Sequence, residues 1–296
     1  NVEFDFQAPS EIDTQALRRL FQQQWYTHAP QLNLSVLADH VVNLAQTSGI
    51  GTVVKVDDLE QIHDPYAVMS CVTLDAKTEA AKLVQDYFKS QLSRAASAKP
   101  LLDLMLSSSE SRPILFILHE RMINLPPQVM PPLLRMLLAE VEETLAETSA
   151  PAPTHALFFS RAFSADALDE GRGDSNEADD TGNDEEPSGL AGARKRKASG
   201  KHAHPVDAAN AALGRQVHNK KRPGVTNEHD DGLGSFHPED EFIREAATHS
   251  YTFRFPAPRD ASETFEPPLY GRILAVPYTK MPAVLERLLE IWPAPA

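Results

Sequence analysis

The chain has 296 residues, enough for one or two domains, and its 42 Asp and Glu against 28 Lys and Arg leave a formal charge of −14. That balance argues against a surface that binds nucleic acid or anionic membrane as a whole. Cys71 is the sole cysteine, which excludes an internal disulfide and a cysteine-rich zinc site and fits a reducing compartment. The longest uninterrupted apolar run, Ile114 to Leu118, falls far short of the ~18 residues of a membrane span. No basic segment followed by an apolar stretch opens the sequence, so a secretory signal is not expected and the composition fits a soluble intracellular protein.

Val2, Phe4 and Phe6 alternate with Glu3 and Asp5, the pattern of a half-buried strand. Ser10 and Asp13 can cap the helix that follows, whose apolar face is Ile12, Ala16, Leu17, Leu20 and Phe21, with Trp25 near its end. A second helix, from about Leu34 to Ala45, places Leu34, Leu37, Ala38, Val41 and Leu44 on one side. Gly49-Ile50-Gly51 stops it, and Thr52 to Val56 is β-branched and strand-like. Tyr66 to Leu74 is apolar at nearly every position, as a central strand is. Ala76 to Leu92 reads as an amphipathic helix with Ala80, Leu83, Val84, Tyr87 and Phe88 inward, and a shorter helix covers Leu101 to Leu106.

Ile114 to Leu118 is a buried strand by length and composition. Pro126-Pro127 fits a helix start, because the first turn needs no backbone donor there. The helix to Leu145 gathers Val129, Leu133, Met136, Leu137, Val141 and Leu145, with Pro131-Pro132 set to tighten or kink its first turn. Thr154 to Phe163 is a further strand. Pro238 to Ala247 gives a short helix, His249 to Phe255 and Leu269 to Val276 give strands, and the last helix carries Met281, Val284, Leu285, Leu288 and Trp292. Interleaved strands and helices define an α/β class with a mixed sheet flanked by helices.

An interruption divides this pattern. Ser164 to Ser235 holds no Phe, Tyr or Trp in 72 consecutive residues. Such a window cannot bury enough apolar surface to offset about 1–2 kcal/mol of backbone entropy per residue, so a disordered insert is expected. Residues 1–163 and 236–296 then form a single α/β domain of 224 residues around the insert 164–235. The insert is split by sign: Asp166 to Glu186 carries net −9, Arg194 to Arg222 net +8, and the remaining chain −13. The acidity therefore belongs to the folded part, where it attracts a basic partner or is the mild acidity of a cytosolic protein with no special partner, whereas an acidic insert would only keep the chain soluble. Arg194-Lys195-Arg196-Lys197 and Lys220-Lys221-Arg222 suit the acidic grooves of a nuclear import receptor. No aromatic lies between them to stack a base, so direct nucleic-acid recognition is not expected. Phosphate on Ser199 would weaken the first cluster.

Catalytic signatures are sparse. Walker-type phosphate loops and the Gly-x-Ser-x-Gly elbow are missing from the sequence, and the eleven histidines show no metal spacing of value, with His202-x-His204 lying inside the insert. His119-Glu120 follows an apolar strand, a place for active-site groups, but reads first as a charged strand end. Cys71 sits in an apolar strand and reads as a buried, inert thiol. Gln46-Thr47-Ser48-Gly49-Ile50-Gly51 resembles the acyl-CoA pyrophosphate loop of GCN-type N-acetyltransferases. That loop needs a strand before it and a helix after it, so that amides at a helix start meet the phosphate. Here the order is reversed, and the glycines serve as a helix stop and a turn.

The segment Leu118-His119-Glu120-Arg121-Met122-Ile123-Asn124-Leu125-Pro126-Pro127-Gln128-Val129 resembles the most distinctive motif of the BCCIP family, with Glu120, Arg121, Asn124, Pro126 and Pro127 as its core. Val2 to Phe6, Gly51 to Val56, Asp64-Pro65-Tyr66, Glu239-Asp240-Glu241-Phe242 and Lys280-Met281 match in the same order. His119 stands where Ser is common, and the long Arg/Lys-rich insert also departs from the pattern, neither change touching the expected core. The resemblance implies a fold similar to the GCN-type N-acetyltransferase fold without its activity or cofactor. It further implies a non-enzymatic, monomeric binding protein of nucleus and cytoplasm. Its fungal branch is similar to escorts of a basic large-subunit ribosomal protein, linked to ribosome biogenesis and to nuclear export of a phosphoinositide (lipid) kinase. A cell-cycle or DNA-repair scaffold, as in animal members, and an acyl-CoA-dependent transferase are the alternatives. Glu140, Glu142, Glu143 and Glu147 form a candidate acidic partner face, because carboxylates near a helix C-terminus oppose the helix dipole until a cation relieves them.

Overall fold

The computed structural model describes residues 3–56, 64–75, 77–164, 231–257 and 268–293. Its strands are β1 (Phe4–Gln7), β2 (Thr52–Val56), β3 (Ala67–Thr73), β4 (Ile114–Arg121), β5 (His155–Ser164), β6 (Leu233–Ser235), β7 (His249–Arg254) and β8 (Leu269–Pro277). The helices are α1 (Thr14–Trp25), α2 (Leu34–Ser48), α3 (Glu79–Leu92), α4 (Lys99–Leu106), α5 (Met130–Thr148), α6 (Asp240–Ala246) and α7 (Met281–Ile291). The strands form one sheet in the order β1-β2-β3-β4-β5-β8-β7, with β6 added to the end of β5. The β4–β5 pair is parallel, with α5 as its crossover, and the other pairs are antiparallel.

The continuous apolar run of β4 is explained by burial on both faces. Ile114, Phe116 and Leu118 join one core with Phe21 and Trp25 of α1, Leu37 and Val41 of α2 and Phe88 of α3. Leu115 and Ile117 join the other with Leu133, Leu137 and Val141 of α5 and Val284 and Leu288 of α7. Helices thus cover both faces of a mixed sheet, as the interleaved pattern predicts.

Local chemistry fixes the element ends. Ser10 and Asp13 form a reciprocal cap before α1, in which the Ser10 amide donates to the Asp13 carboxylate at 2.9 Å. The other Asp13 oxygen meets Lys55 of β2 at 2.8 Å, both side chains being buried. The Thr78 hydroxyl caps α3 by accepting from the Ala81 amide at 3.1 Å. Gly49 closes α2 in the left-handed region, at φ +66°. Pro131 and Pro132 lie in the first turn of α5, which runs on to Thr148.

Three expectations change. Ile12 is 80 % exposed, because Glu11–Asp13 is a separate 3-10 turn and the helical period does not reach back to it. The β4 strand extends past Leu118 through His119, Glu120 and Arg121, all buried. The window assigned to the insert ends in β6, whose Leu233, Gly234 and Ser235 pair with Ser164, Phe163 and Ala162. β6 carries no aromatic of its own to hold it there. The Arg272 guanidinium holds it, donating to Asp231 at 2.7 and 3.0 Å, to the Ser235 hydroxyl at 2.8 Å and to the Leu233 carbonyl at 3.2 Å. Residues 165–230 lie outside the described residues, and with them the rest of the insert.

Candidate functional site

The parallel ladder between β4 and β5 stops at Ile117–Phe158, although both strands continue. Beyond that point their facing carbonyls need other donors. Gln24 of α1 supplies them: its side-chain amide donates to the carbonyls of His119 at 3.0 Å and Phe159 at 3.1 Å. The gap between two central strands is therefore closed by a side chain from the helical layer.

Around this gap sits a buried ion cluster. On the α1 side of the sheet the Glu120 carboxylate accepts from Arg161 of β5 at 3.1 Å and from Gln23 at 3.1 Å, and lies 2.7 Å from His237 Nε2. It also accepts from the Arg121 amide at 3.0 Å. The Arg161 guanidinium stacks on the Phe236 ring at 4.0 Å. On the α5 side Arg121 makes a two-point pair with Glu239, at 2.6 and 3.0 Å, and donates to the Leu125 carbonyl at 2.6 Å. His119 packs edge-on against Phe158 and places Nε2 3.2 Å from Asp240.

Burial alone would raise the Glu120 carboxyl, but Arg161 and His237 overcome it and bring it down to about 2. Burial would likewise depress His119, and the bond to Asp240 reverses the sign and raises it. Glu239 is lowered by Arg121 against its own burial. The neighbours of Glu120, His119 and Glu239 thus favour the charged forms of those three groups. Chemically the arrangement is a clamp: three successive residues of β4 grip the chain at 236–240 as it returns to the sheet.

His119-Glu120 do form the charged end of β4, as expected, and the geometry adds that both are buried and paired. The view that His119 leaves the core untouched is corrected, because it packs against Phe158 within it. Two segments quoted for the family resemblance, 118–129 and 239–242, meet in the cluster. Asn124 is exposed in a turn closed by the Leu125 amide on the Met122 carbonyl at 3.0 Å, and Pro126 and Pro127 lead into α5. Arg161, His237 and Gln24 were not singled out by sequence reasoning. Arg161 had a signal, a charge within the apolar run Ala156 to Phe163 that demands a buried partner.

The four glutamates of α5 separate. Glu142, Glu143 and Glu147 are exposed, whereas Glu140 turns inward and accepts from the Gly51 amide at 2.8 Å and the Thr52 hydroxyl at 3.2 Å. Glu140 is thus withdrawn from the partner face, because the α2–β2 corner needs an acceptor. Gly49 and Gly51 act as the helix stop and turn expected of them. Cys71 is buried in β3, and burial pushes its thiol up to about 12. Arg194, Lys195, Arg196, Lys197, Ser199, His202, His204, Lys220, Lys221 and Arg222 lie outside the described residues. No group of three or more His, Cys, Asp or Glu suited to a metal ion occurs among the described residues.

Sheet, layers and clamp define a mixed α/β protein with helices on both faces. The chain belongs to the BCCIP family, whose model matches residues 1–243. It is 47 % identical to Protein BCP1 of Mycosarcoma maydis over 97 % of this chain and 88 % of that protein. With Protein bcp1 of Schizosaccharomyces pombe it shares 30 % identity over 70 % of each chain. The crystal structure of BCP1 from Saccharomyces cerevisiae is similar with a TM-score of 0.57, at 19 % identity over 99 % of this chain and 92 % of that one, a likeness of fold.

Proposed function

We propose that the chain is a non-enzymatic binding protein that escorts a basic large-subunit ribosomal protein. It would act in nucleus and cytoplasm, in ribosome biogenesis and in nuclear export of a phosphoinositide kinase, with Arg194–Lys197 and Lys220–Arg222 engaging an import receptor. The carrying observation is charge: with the insert 164–235 set aside, residues 1–163 and 236–296 hold net −10, and Glu142, Glu143 and Glu147 stand exposed on α5. Folded acidic surface steers a cationic client and screens it from anionic competitors.

A fold similar to the GCN-type acetyltransferases without their activity is part of the same reading. Two details support it. Gln24 fills the gap between the parallel strands, and the Gly51 amide, which a coenzyme phosphate would need, already serves the Glu140 carboxylate.

The test is a pull-down with purified basic large-subunit ribosomal proteins at rising salt, using the wild type and a Glu142→Lys/Glu143→Lys/Glu147→Lys variant. Binding should be saturable and fall steeply as the Debye length shortens from about 8 Å, and the variant should bind several-fold more weakly. Salt-independent capture would remove the electrostatic basis. Calorimetry with acetyl-CoA should be flat, and saturable heat would return the transferase reading.

A further inference from the structure

The α5-side core leaves a cleft of about 530 Å³ between the C-terminal halves of α2 and α5, over the β3–β4 part of the sheet. That volume lies within the ~300–1,000 Å³ range of ligand pockets. Its walls and floor are Leu44, Ile50, Cys71, Leu115, Val141 and Leu145. The polar groups at its margin are already committed. His40 Nε2 lies 3.1 Å from the Cys71 carbonyl, the Thr144 hydroxyl donates to the Glu140 carbonyl at 2.9 Å, and Lys77 pairs with Glu110. A polar small molecule would find few free partners inside, whereas an apolar side chain would replace water against apolar walls at no cost in hydrogen bonds.

The two helical segments that flank it are one-signed. From Leu34 to Ser48 and from Met136 to Thr148 there is no Lys or Arg, and the charges are Asp39, Glu140, Glu142, Glu143 and Glu147. The acidic face and the apolar cleft therefore share α5, with Val141, Thr144, Leu145 and Thr148 turned to the cleft. Burial lowers His40, which is neutral at physiological pH and adds no competing cation.

From this we infer that the α2–α5 cleft is the anchor pocket for a partner peptide in which one or two large apolar side chains are flanked by Lys and Arg. The inference rests on the escort reading and deepens it: charge brings the client near, and the cleft fixes which segment docks.

Two fluorescein-labelled Lys/Arg-rich peptides of equal charge test it by anisotropy against the full chain, one with a central Leu-Phe pair and the other with Ala-Ala. Burying the anchors should make the first bind at least about tenfold more tightly. Leu145→Trp, which fills the cleft, and Thr148→Trp at its exposed margin should each cut that preference below about twofold while leaving the Ala-Ala peptide unchanged. Either Trp variant suffices if the other fails to fold. Equal affinity of the two peptides for the wild type, or a preference that survives both substitutions, overturns the anchor pocket. If that equal binding is salt-sensitive, the escort reading stands while the pocket falls. No saturation by either peptide overturns both.

Discussion

Gly51 adopts φ +127°, and a Cβ there would come within 3.0 Å of the Ser70 hydroxyl oxygen. Both the backbone region and the neighbour oppose a side chain, so Gly51→Ala should cost about 1–3 kcal/mol in denaturant unfolding. The amide of the same residue is satisfied by Glu140, which makes the α5 glutamates unequal. Glu140→Ala should destabilise by about 1.5–3 kcal/mol through loss of a charge-assisted bond, with Glu143→Ala within about 0.5 kcal/mol of wild type. Equal effects in thermal melts would contradict this division. Helical spacing placed these carboxylates on one element but could not reveal which of them turns back toward a loop 89 residues away in sequence, because that depends on how α5 packs on β2.

At the scale of elements, the β4 terminus and the 236–240 segment act as two halves of one clamp. Arg121→Met leaves Glu239 buried without its partner and should cost about 3–5 kcal/mol, whereas Arg121→Met combined with Glu239→Leu should recover most of the loss. Equilibrium unfolding of the two single variants and the double variant measures the coupling directly. The strands and helices themselves were legible, since β4, α3, α5 and α7 follow periodicity closely. What escaped were the places where charge substitutes for apolar burial. His119, Glu120 and Arg121 look like solvated residues after an apolar run, and Leu233–Ser235 lacks the side chains that announce a strand. Each depends on a partner distant in sequence, Glu239 and Asp240 in one case and Arg272 in the other, and no local pattern encodes such pairing. The candidate site was half visible: Glu120 and Arg121 by the family motif, Arg161 by a charge inside an apolar run that did not name its partner, and His237 only in three dimensions.

For the molecule as a whole, the clamp ties stability to pH. Glu120 falls from 4.5 to about 2 on folding, so its contribution of about 3 kcal/mol is complete above pH ~4.5 and lost as pH drops toward 2. His119 is raised above 6.5, so its contribution is complete below that value and lost as pH rises through the folded pKa. His28, His40 and His155 shift the opposite way and stabilise the neutral side. The difference in unfolding free energy between wild type and His119→Gln isolates the clamp, and it should shrink as pH climbs above 6.5. A difference that grows with pH would exclude a charged His119. Sheet pairing has another consequence for the molecule. Ser164 and Leu233 stand opposite each other in the ladder, so the intervening span leaves and rejoins the body through a two-stranded stem. Doubling the length of a tether closed at its base costs only about 0.6 kcal/mol. The ladder at Ala162–Ser164 and Leu233–Ser235 sets where such a span begins and ends rather than how many residues it holds, so an epitope tag introduced between those strands should leave their pairing in place.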